Sequence, residues 1–383
     1  MSNSSEHYCR GCGGRLDNTP LISYLNMPGR AQHFPDKQHL DEDQGVDLNL
    51  YRCRGCGLLQ LTNEPVYYYK DVIRATSVSD EMHKFRVSFF REFMAKYNLF
   101  DHKLVEIGAG NGEFMNYIQE AGGDIYGIEH NQEAVEYCIS HGFRVEEGFP
   151  DETFTKYKNG PFDGFFIMSY MEHIPDLRYF LSNIADNLND GAIGLIEVPN
   201  TDMVMDHMLF SEFMLDHLSY FTKESLTRVM EVNGFDVLDV RPVWYDYNLC
   251  AIVQKRKTGS IGDFKSKQDE VISSIHRYID SYIEQGKKVA VWGAGHQALA
   301  VIALSQIASK IEFVIDSADF KQNKYTPGSH CLVVAPDKLL ETHIDTILVM
   351  CASYSDEVYH TIKTKYKGID VVILREDGLE FME

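Results

Sequence analysis

The sequence has no run of 18 apolar residues, so no stretch reads as a membrane-spanning helix. Its first residues, MSNSSEHYC, carry no hydrophobic signal region, which argues against secretion. Positive charge is scarce: 36 Lys and Arg face 57 Asp and Glu, a formal charge of -21. That deficit disfavours nonspecific nucleic-acid binding and anionic membrane surfaces. The expectation is a soluble cytoplasmic protein, monomer or homodimer, whose partner is a small molecule and neither nucleic acid nor membrane. Cysteine is sparse too, at eight in 383 residues. In such a compartment these read as ligands, nucleophiles or core residues rather than disulfides.

What is present begins with LVEIGAGNGEF, Leu104 to Phe114. An apolar run stops at a glycine turn, and a helical pattern with Phe114, Met115 and Ile118 follows. Strand, tight turn and helix amino end are how a doubly wound sheet builds a nucleotide cradle. Gly108, Gly110 and Gly112 let the backbone turn sharply and approach a ligand. Glu129 closes the next apolar run, DIYGIE, where a carboxylate can accept hydrogen bonds from both ribose hydroxyls. Glu106, Ala109 and His130 flank these positions and complete the candidate cofactor set. The loop by itself fits NAD, FAD and S-adenosylmethionine proteins alike.

Four cysteines are paired by spacing, Cys9 with Cys12 and Cys53 with Cys56, each on a short glycine-containing turn. Two such pairs can close a tetrahedral zinc site with no open coordination position, hence structural. A redox pair or coincidence is the competing reading. Cys250, Cys331 and Cys351 lie in or beside apolar runs and read as small buried hydrophobes.

The 44% hydrophobic content supports two or three domains. Residues 1–66 read as a zinc-binding unit, 67–257 as a nucleotide-binding α/β domain and 258–383 as a second Rossmann-like domain. In the middle domain, strands are expected at 103–107, 124–128, 143–146, 163–168, 191–198, 235–241 and 249–254. Helices fit between them at 112–121, 131–140, 177–187 and 223–232. A helix from Ser79 precedes the first strand. Two antiparallel strands at the end suit a mixed seven-stranded methyltransferase sheet better than an NAD domain. Residues 258–275 read as a polar linker into a helix ending near Glu284. KKVAVWGAGHQALAVIAL then repeats strand, glycine turn and helix, and KIEFVIDS ends in Asp316.

Loops at the carboxyl ends of such strands form the ligand crevice. SYMEHIPD places Glu172 and His173 there, unless they are a cap and a surface histidine. IEVPN brings Glu197 and Asn200. FMLDHLSYFT brings Asp216, His217 and Tyr220, with Thr222 as a helix cap. Asp216 can orient a ring, and His217 can take a proton near neutral pH. A merely packed His217 is the alternative.

Taken together, CRGCGLLQL, VEIGAGNGEF, MEHIPD, IEVPN, DHLSYFT, VWGAGHQALA, DSADFKQNKYTPG and CASYSDEV resemble the three-domain, S-adenosylmethionine-dependent sugar C-methyltransferases over nearly the whole chain. The resemblance implies a zinc-binding N-terminal domain, a class I methyltransferase domain and a C-terminal Rossmann-like domain. It implies S-adenosylmethionine and structural Zn2+ as cofactors. The implied acceptor is a nucleotide-linked 4-keto sugar, methylated on the carbon beside the ketone. His173 matches the family's motif histidine. The family's Tyr-x-Glu-His-Leu-Ser-Tyr-Phe motif falls on Met214 to Phe221, which makes His217 the favoured base. His173 is then expected to polarise the carbonyl or donate to the enolate. Arg74 stands where the family carries an active-site tyrosine and can meet a substrate phosphate or carboxylate. Glu172, Asn200, Tyr220 and Lys321 complete the expected substrate contacts; Asp316, Lys321 and Lys324 by themselves read either as facing a diphosphate or as solvated surface. Met214, Asp216 and the Tyr245–Leu249 stretch depart from the family pattern, all on the acceptor side.

Four other functions compete. Two glycine loops fit an NAD-dependent oxidoreductase. The departures at Met214 and Arg74 fit a zinc scaffold that binds a nucleotide without turnover, or an enzyme acting on oxygen or nitrogen. A zinc knuckle guiding nucleic-acid methylation is opposed by the acidic composition and the lack of an NPPY-type loop.

Overall fold

The apolar run before the glycine turn becomes strand β1, Lys103–Ile107, buried on both faces as a central parallel strand must be. The computed structural model describes residues 6–32, 34–71, 79–257, 259 and 261–382. Alongside β1 lie β2 (Asp124–Glu129), β3 (Val145–Glu147), β4 (Phe162–Met168), β5 (Leu188–Pro199), β6 (Phe235–Val243) and β7 (Asn248–Lys255). Their order in the seven-stranded sheet is β6-β7-β5-β4-β1-β2-β3. β7 runs antiparallel to both neighbours, and the pairs from β5 through β3 are parallel. The chain starts at β1 in the middle and reverses direction there. The switch point therefore lies beside the glycine turn, where a ligand crevice is expected.

Alternation along β1 sends Leu104 to one face and Val105 and Ile107 to the other. The first face is covered by helix α1 (Asp80–Tyr97), through Phe89, Phe90, Phe93 and Met94, and by α2 (Glu113–Glu120). The Ser79 hydroxyl caps α1 by accepting from the Met82 N–H at 3.2 Å. The other face meets Phe180, Leu181 and Ile184 of α3 (Leu177–Asp186) and Leu226, Val229 and Met230 of α4 (Lys223–Val232). Thr222 caps the latter within a capping box with Ser225.

The cysteine-bearing segment forms a small four-stranded sheet in the order Ile22–Met27, Val46–Arg52, Leu59–Leu61, Ser219–Tyr220. Its last strand comes from the residues just after His217, so this small sheet and the acceptor-side loop share backbone hydrogen bonds.

The chain forms two compact units, 1–258 and 259–383. The second holds a six-stranded sheet. Its strands, in order, are 333–334, 314–315, 289–292, 346–349, 370–375 and 378–382, with only the last pair antiparallel. The stretch read as a linker is already helical from Gly262, and the helix runs to Ile283. Its first turns are exposed and polar, and only Ile275 and Ile279 are deeply buried, which is why composition alone reads as linker. Among the described residues no helix is long and apolar enough to cross a membrane.

Candidate active site

The glycine turn leaves β1 with φ of +77° at Gly108, +55° at Gly110 and +83° at Gly112. A Cβ on Gly108 would stand 2.7 Å from the Tyr170 ring, so a side chain there fails on space as well as on dihedral. Glu129, at the tip of β2, is buried. One carboxylate oxygen accepts from the Gly110 N–H at 2.7 Å and the other from the Asn131 N–H at 2.8 Å. The turn and the carboxylate are thus one hydrogen-bonded unit, which fits the adenosyl end of S-adenosylmethionine. Ala109 and Glu106 are fully buried in this unit, whereas His130 is exposed with its ring edge-on to Phe149. Phe149 also meets Tyr69 and Tyr170 edge-on, and the Lys70 ammonium lies 4.5 Å from its ring centre. No sequence pattern marks this aromatic group, because its members come from four separate loops.

Next to the turn is a cavity of about 570 Å³. Glu172, His173, Asp216 and His217 border it together, as the loop positions imply. His173 sits in the short turn Met171–His173 that follows β4. Its Nδ1 lies 2.6 Å from the carbonyl oxygen of Asp216. A carbonyl only accepts, so Nδ1 carries the proton and Nε2 a lone pair. Nε2 lies 3.9 Å from a Glu172 oxygen. A neutral His173 of this tautomer cannot donate at Nε2, contrary to the expected hydrogen bond to an enolate. The His217 ring stands 4.8 Å from the His173 ring at 76°. Burial holds His173 below the usual imidazole range, and burial followed by the neighbouring His173 pushes His217 down to about 3. Both rings are therefore uncharged near neutral pH.

Asp216 and His217 part company, in a turn closed by the His217 N–H on the Met214 carbonyl at 3.2 Å. The Asp216 carboxylate accepts from the Tyr68 hydroxyl at 2.7 Å and the Ala31 N–H at 3.0 Å. Its expected orienting role passes to its main-chain carbonyl, and to His173 instead. Ala31 and Gln32 border the cavity, so the segment between the cysteine knuckles reaches the site. Tyr220 is committed elsewhere: its hydroxyl accepts from the Met214 N–H and donates to the Met214 carbonyl, both at 2.9 Å. The Asn200 side chain caps residues 202 and 203 and donates to the Asp246 carbonyl at 2.8 Å. Glu197 is fully buried against Arg86 and does not border the cavity. Arg74 lies outside the described residues. Lys321 belongs to the second unit, where it pairs with Asp316 at 2.9 Å beside a separate cavity of about 440 Å³. Asp316 there also accepts from the Ala294 and Ala318 N–H groups, as Glu129 does in the first unit.

The four paired cysteines converge. Cys9, Cys12, Cys53 and Cys56 place their sulfurs within 4.8 Å of one another, with Cys9–Cys56 and Cys12–Cys53 at 3.5 Å. A tetrahedral zinc thiolate site needs sulfurs about 3.8 Å apart, from Zn–S bonds of about 2.3 Å. The Cys56 thiol, then the backbone and the Gln60 amide, hold Cys9 toward thiolate. The donor set therefore fits a closed zinc site.

Residues 82–240 match the family model described as a methyltransferase domain, and residues 254–373 match the C-methyltransferase C-terminal domain. With the seven-stranded sheet and its glycine turn, these make the chain a class I S-adenosylmethionine-dependent methyltransferase. Among characterised proteins it is similar to the C-methyltransferase NovU of Streptomyces niveus. Identity is 23%, covering 91% of this chain and 90% of that protein. Among solved structures it is similar to an S-adenosylmethionine-dependent methyltransferase from Clostridium acetobutylicum, with 12% identity and a TM-score of 0.38, covering 50% of this chain and 97% of that one. A methyltransferase from Thermotoga maritima, described as a possible histamine N-methyltransferase, gives 18% identity and a TM-score of 0.36, covering 46% and 91%.

Proposed function

We propose that the protein methylates carbon, at the position beside the ketone of a nucleotide-linked 4-keto sugar. The observation that carries this reading is the pair of uncharged imidazoles, His173 and His217, on the wall of one cavity beside the glycine turn. A C–H proton beside a carbonyl needs a base that is free of its own proton at working pH, and both rings meet that condition. Two names point to carbon as the acceptor atom: the C-terminal family model and NovU. The sugar class rests on the motif resemblance.

In this reading His217 takes the proton from the carbon beside the ketone. His173 keeps its own proton on Nδ1 against the Asp216 carbonyl, and its Nε2 lone pair and Glu172 orient the acceptor by accepting from its hydroxyl or amine. When bound, S-adenosylmethionine supplies an electrophilic methyl group to the electron pair so released. Glu129 and the 108–112 turn hold the adenosyl end, and the cavity walls exclude water. Cys9, Cys12, Cys53 and Cys56 hold a structural Zn2+.

The test is incubation with deuterated-methyl S-adenosylmethionine and a set of nucleotide-linked keto, amino and hydroxy sugars, followed by mass spectrometry and NMR. The expected product carries the label on the carbon beside the ketone. Label confined to oxygen or nitrogen, or binding without turnover, overturns the reading.

Glu129→Ala is expected to weaken S-adenosylhomocysteine binding about 10- to 100-fold, the worth of hydrogen bonds to a charged acceptor. Calorimetry measures it. Unchanged affinity would show that the adenosyl end lies elsewhere.

A further inference from the structure

We infer that Arg86 donates its Nε–H to a negatively charged oxygen of a reactant bound in the cavity. Arg86 is 3% exposed, on the sheet-facing side of α1, and borders the cavity. Its two terminal nitrogens are committed end-on to Glu197, at 2.5 and 2.7 Å. Asn248 donates to the same carboxylate at 3.0 Å, and the guanidinium centre lies 5.5 and 5.1 Å from the Phe85 and Phe114 ring centres. The group is thereby fixed in orientation. Nε is buried with no partner among the described residues. An end-on carboxylate pair engages only the two terminal nitrogens of a guanidinium and leaves the Nε–H without an acceptor. A buried donor left unmade is costly, which makes a ligand oxygen the natural occupant.

Charge favours the same answer. Among the described residues that border the cavity, Arg86 is the one permanent cation, and Glu113, Glu172, Glu212 and Asp216 are the acids. His173 presents a lone pair, so the donor for a developing oxyanion has to come from elsewhere. A weak base such as a strongly depressed imidazole places still more of the work on that donor. Two reactants bring a suitable oxygen: the acceptor, as its enolate forms, and the methyl donor, through its amino-acid carboxylate. The first arm rests on the carbon-transfer reading above, and the second does not.

The experiment uses Arg86→Lys, which keeps a cation for Glu197 and removes the Nε donor. Should that variant unfold, the double variant Arg86→Met with Glu197→Met removes both buried charges together. Calorimetry compares S-adenosylhomocysteine with 5′-methylthioadenosine, which lacks the carboxylate. Hydrogen–deuterium exchange beside the ketone of a nucleoside diphosphate 4-keto-6-deoxyhexose, with S-adenosylhomocysteine present, reads enolisation alone. Loss of S-adenosylhomocysteine affinity by about tenfold or more, with 5′-methylthioadenosine unchanged, assigns the oxygen to the methyl donor. Exchange slowed by about tenfold or more, with both affinities and the sugar KM unchanged, assigns it to the acceptor. If neither changes, or if all ligands weaken together, the inference is overturned. Should the wild-type protein show no exchange at all, the carbon-transfer reading fails, and the calorimetric arm still decides Arg86.

Discussion

Replacing His217 by alanine is expected to lower kcat by about 10²- to 10⁴-fold, the usual worth of a positioned base. S-adenosylhomocysteine affinity should stay within about twofold, since the ring lies on the acceptor wall and touches neither Glu129 nor the glycine turn in the contacts described. The pH profile adds a second signature. An ordinary histidine base loses activity as pH falls through about 6.5. Burial and then the neighbouring His173 push His217 down to about 3. Lowering the pKa keeps the imidazole deprotonated, so the acid limb moves to lower pH. The wild-type kcat/KM should stay flat from roughly pH 8 down to about 5. A limb near the ordinary value, or equal loss of donor affinity and turnover in the variant, would contradict the assignment.

Stripping the cysteine cluster of metal, or replacing Cys56 by serine, is expected to lower the melting temperature sharply and abolish turnover. Elemental analysis should give one zinc per chain beforehand. Structural zinc contributes on the order of 10 kcal/mol to folding small metal-bound units. The consequences reach the cavity by a traceable route. Arg10, between the two cysteines of the first knuckle, donates from its side chain to the Leu61, Asn63 and Pro175 carbonyls at 3.0, 2.6 and 2.9 Å. Pro175 is two residues beyond His173. Leu59 and Gln60 pair with Tyr220 and Ser219, next to His217, and Ala31 holds the Asp216 carboxylate. Loss of the knuckles removes the support on both sides of the two imidazoles. A chelated protein that melts and turns over as before would remove zinc from the account.

Much of this architecture is local and was readable. The run before Gly108, the turn itself and the helix after it obey short-range rules of burial, dihedral angle and capping. The same holds for Ser79 and Thr222 as caps, and for the strand and helix pattern from Lys103 to Lys255. In the second unit the strands Val289–Trp292 and Val314–Ile315 were legible, from the apolar runs KKVAVW and KIEFVIDS. Gly378–Met382 is largely solvent-facing and carries no apolar pattern, and Val333–Val334 pairs for only two residues of the run CLVVA.

The active-site chemistry was less legible. Sequence brought His173 to the crevice because it follows a strand end, and Asp216 and His217 through the motif resemblance. It could not show that Asp216 would face Tyr68 and Ala31, or that its carbonyl would set the tautomer of a histidine 43 positions away. Arg86 interrupts an apolar helical stripe and reads locally as a solvent-facing residue, yet it is buried on Glu197, 111 positions distant. Asn200 and Tyr220 read as ligand contacts; Asn200 instead caps residues 202 and 203 and donates to the Asp246 carbonyl, and Tyr220 bonds within its own loop.

By itself the sequence determined the donor side: the order of strands and helices, the glycine turn with Glu129, and the two cysteine pairs. Those depend on periodicity, backbone freedom and spacing within a few tens of residues. The tertiary structure decided the acceptor side: which histidine nitrogen holds a proton, which acid pairs with which cation, and how the knuckle segment meets the cavity. These follow from burial and from hydrogen bonds between remote segments, and their energies exist only once the chain has brought the partners together.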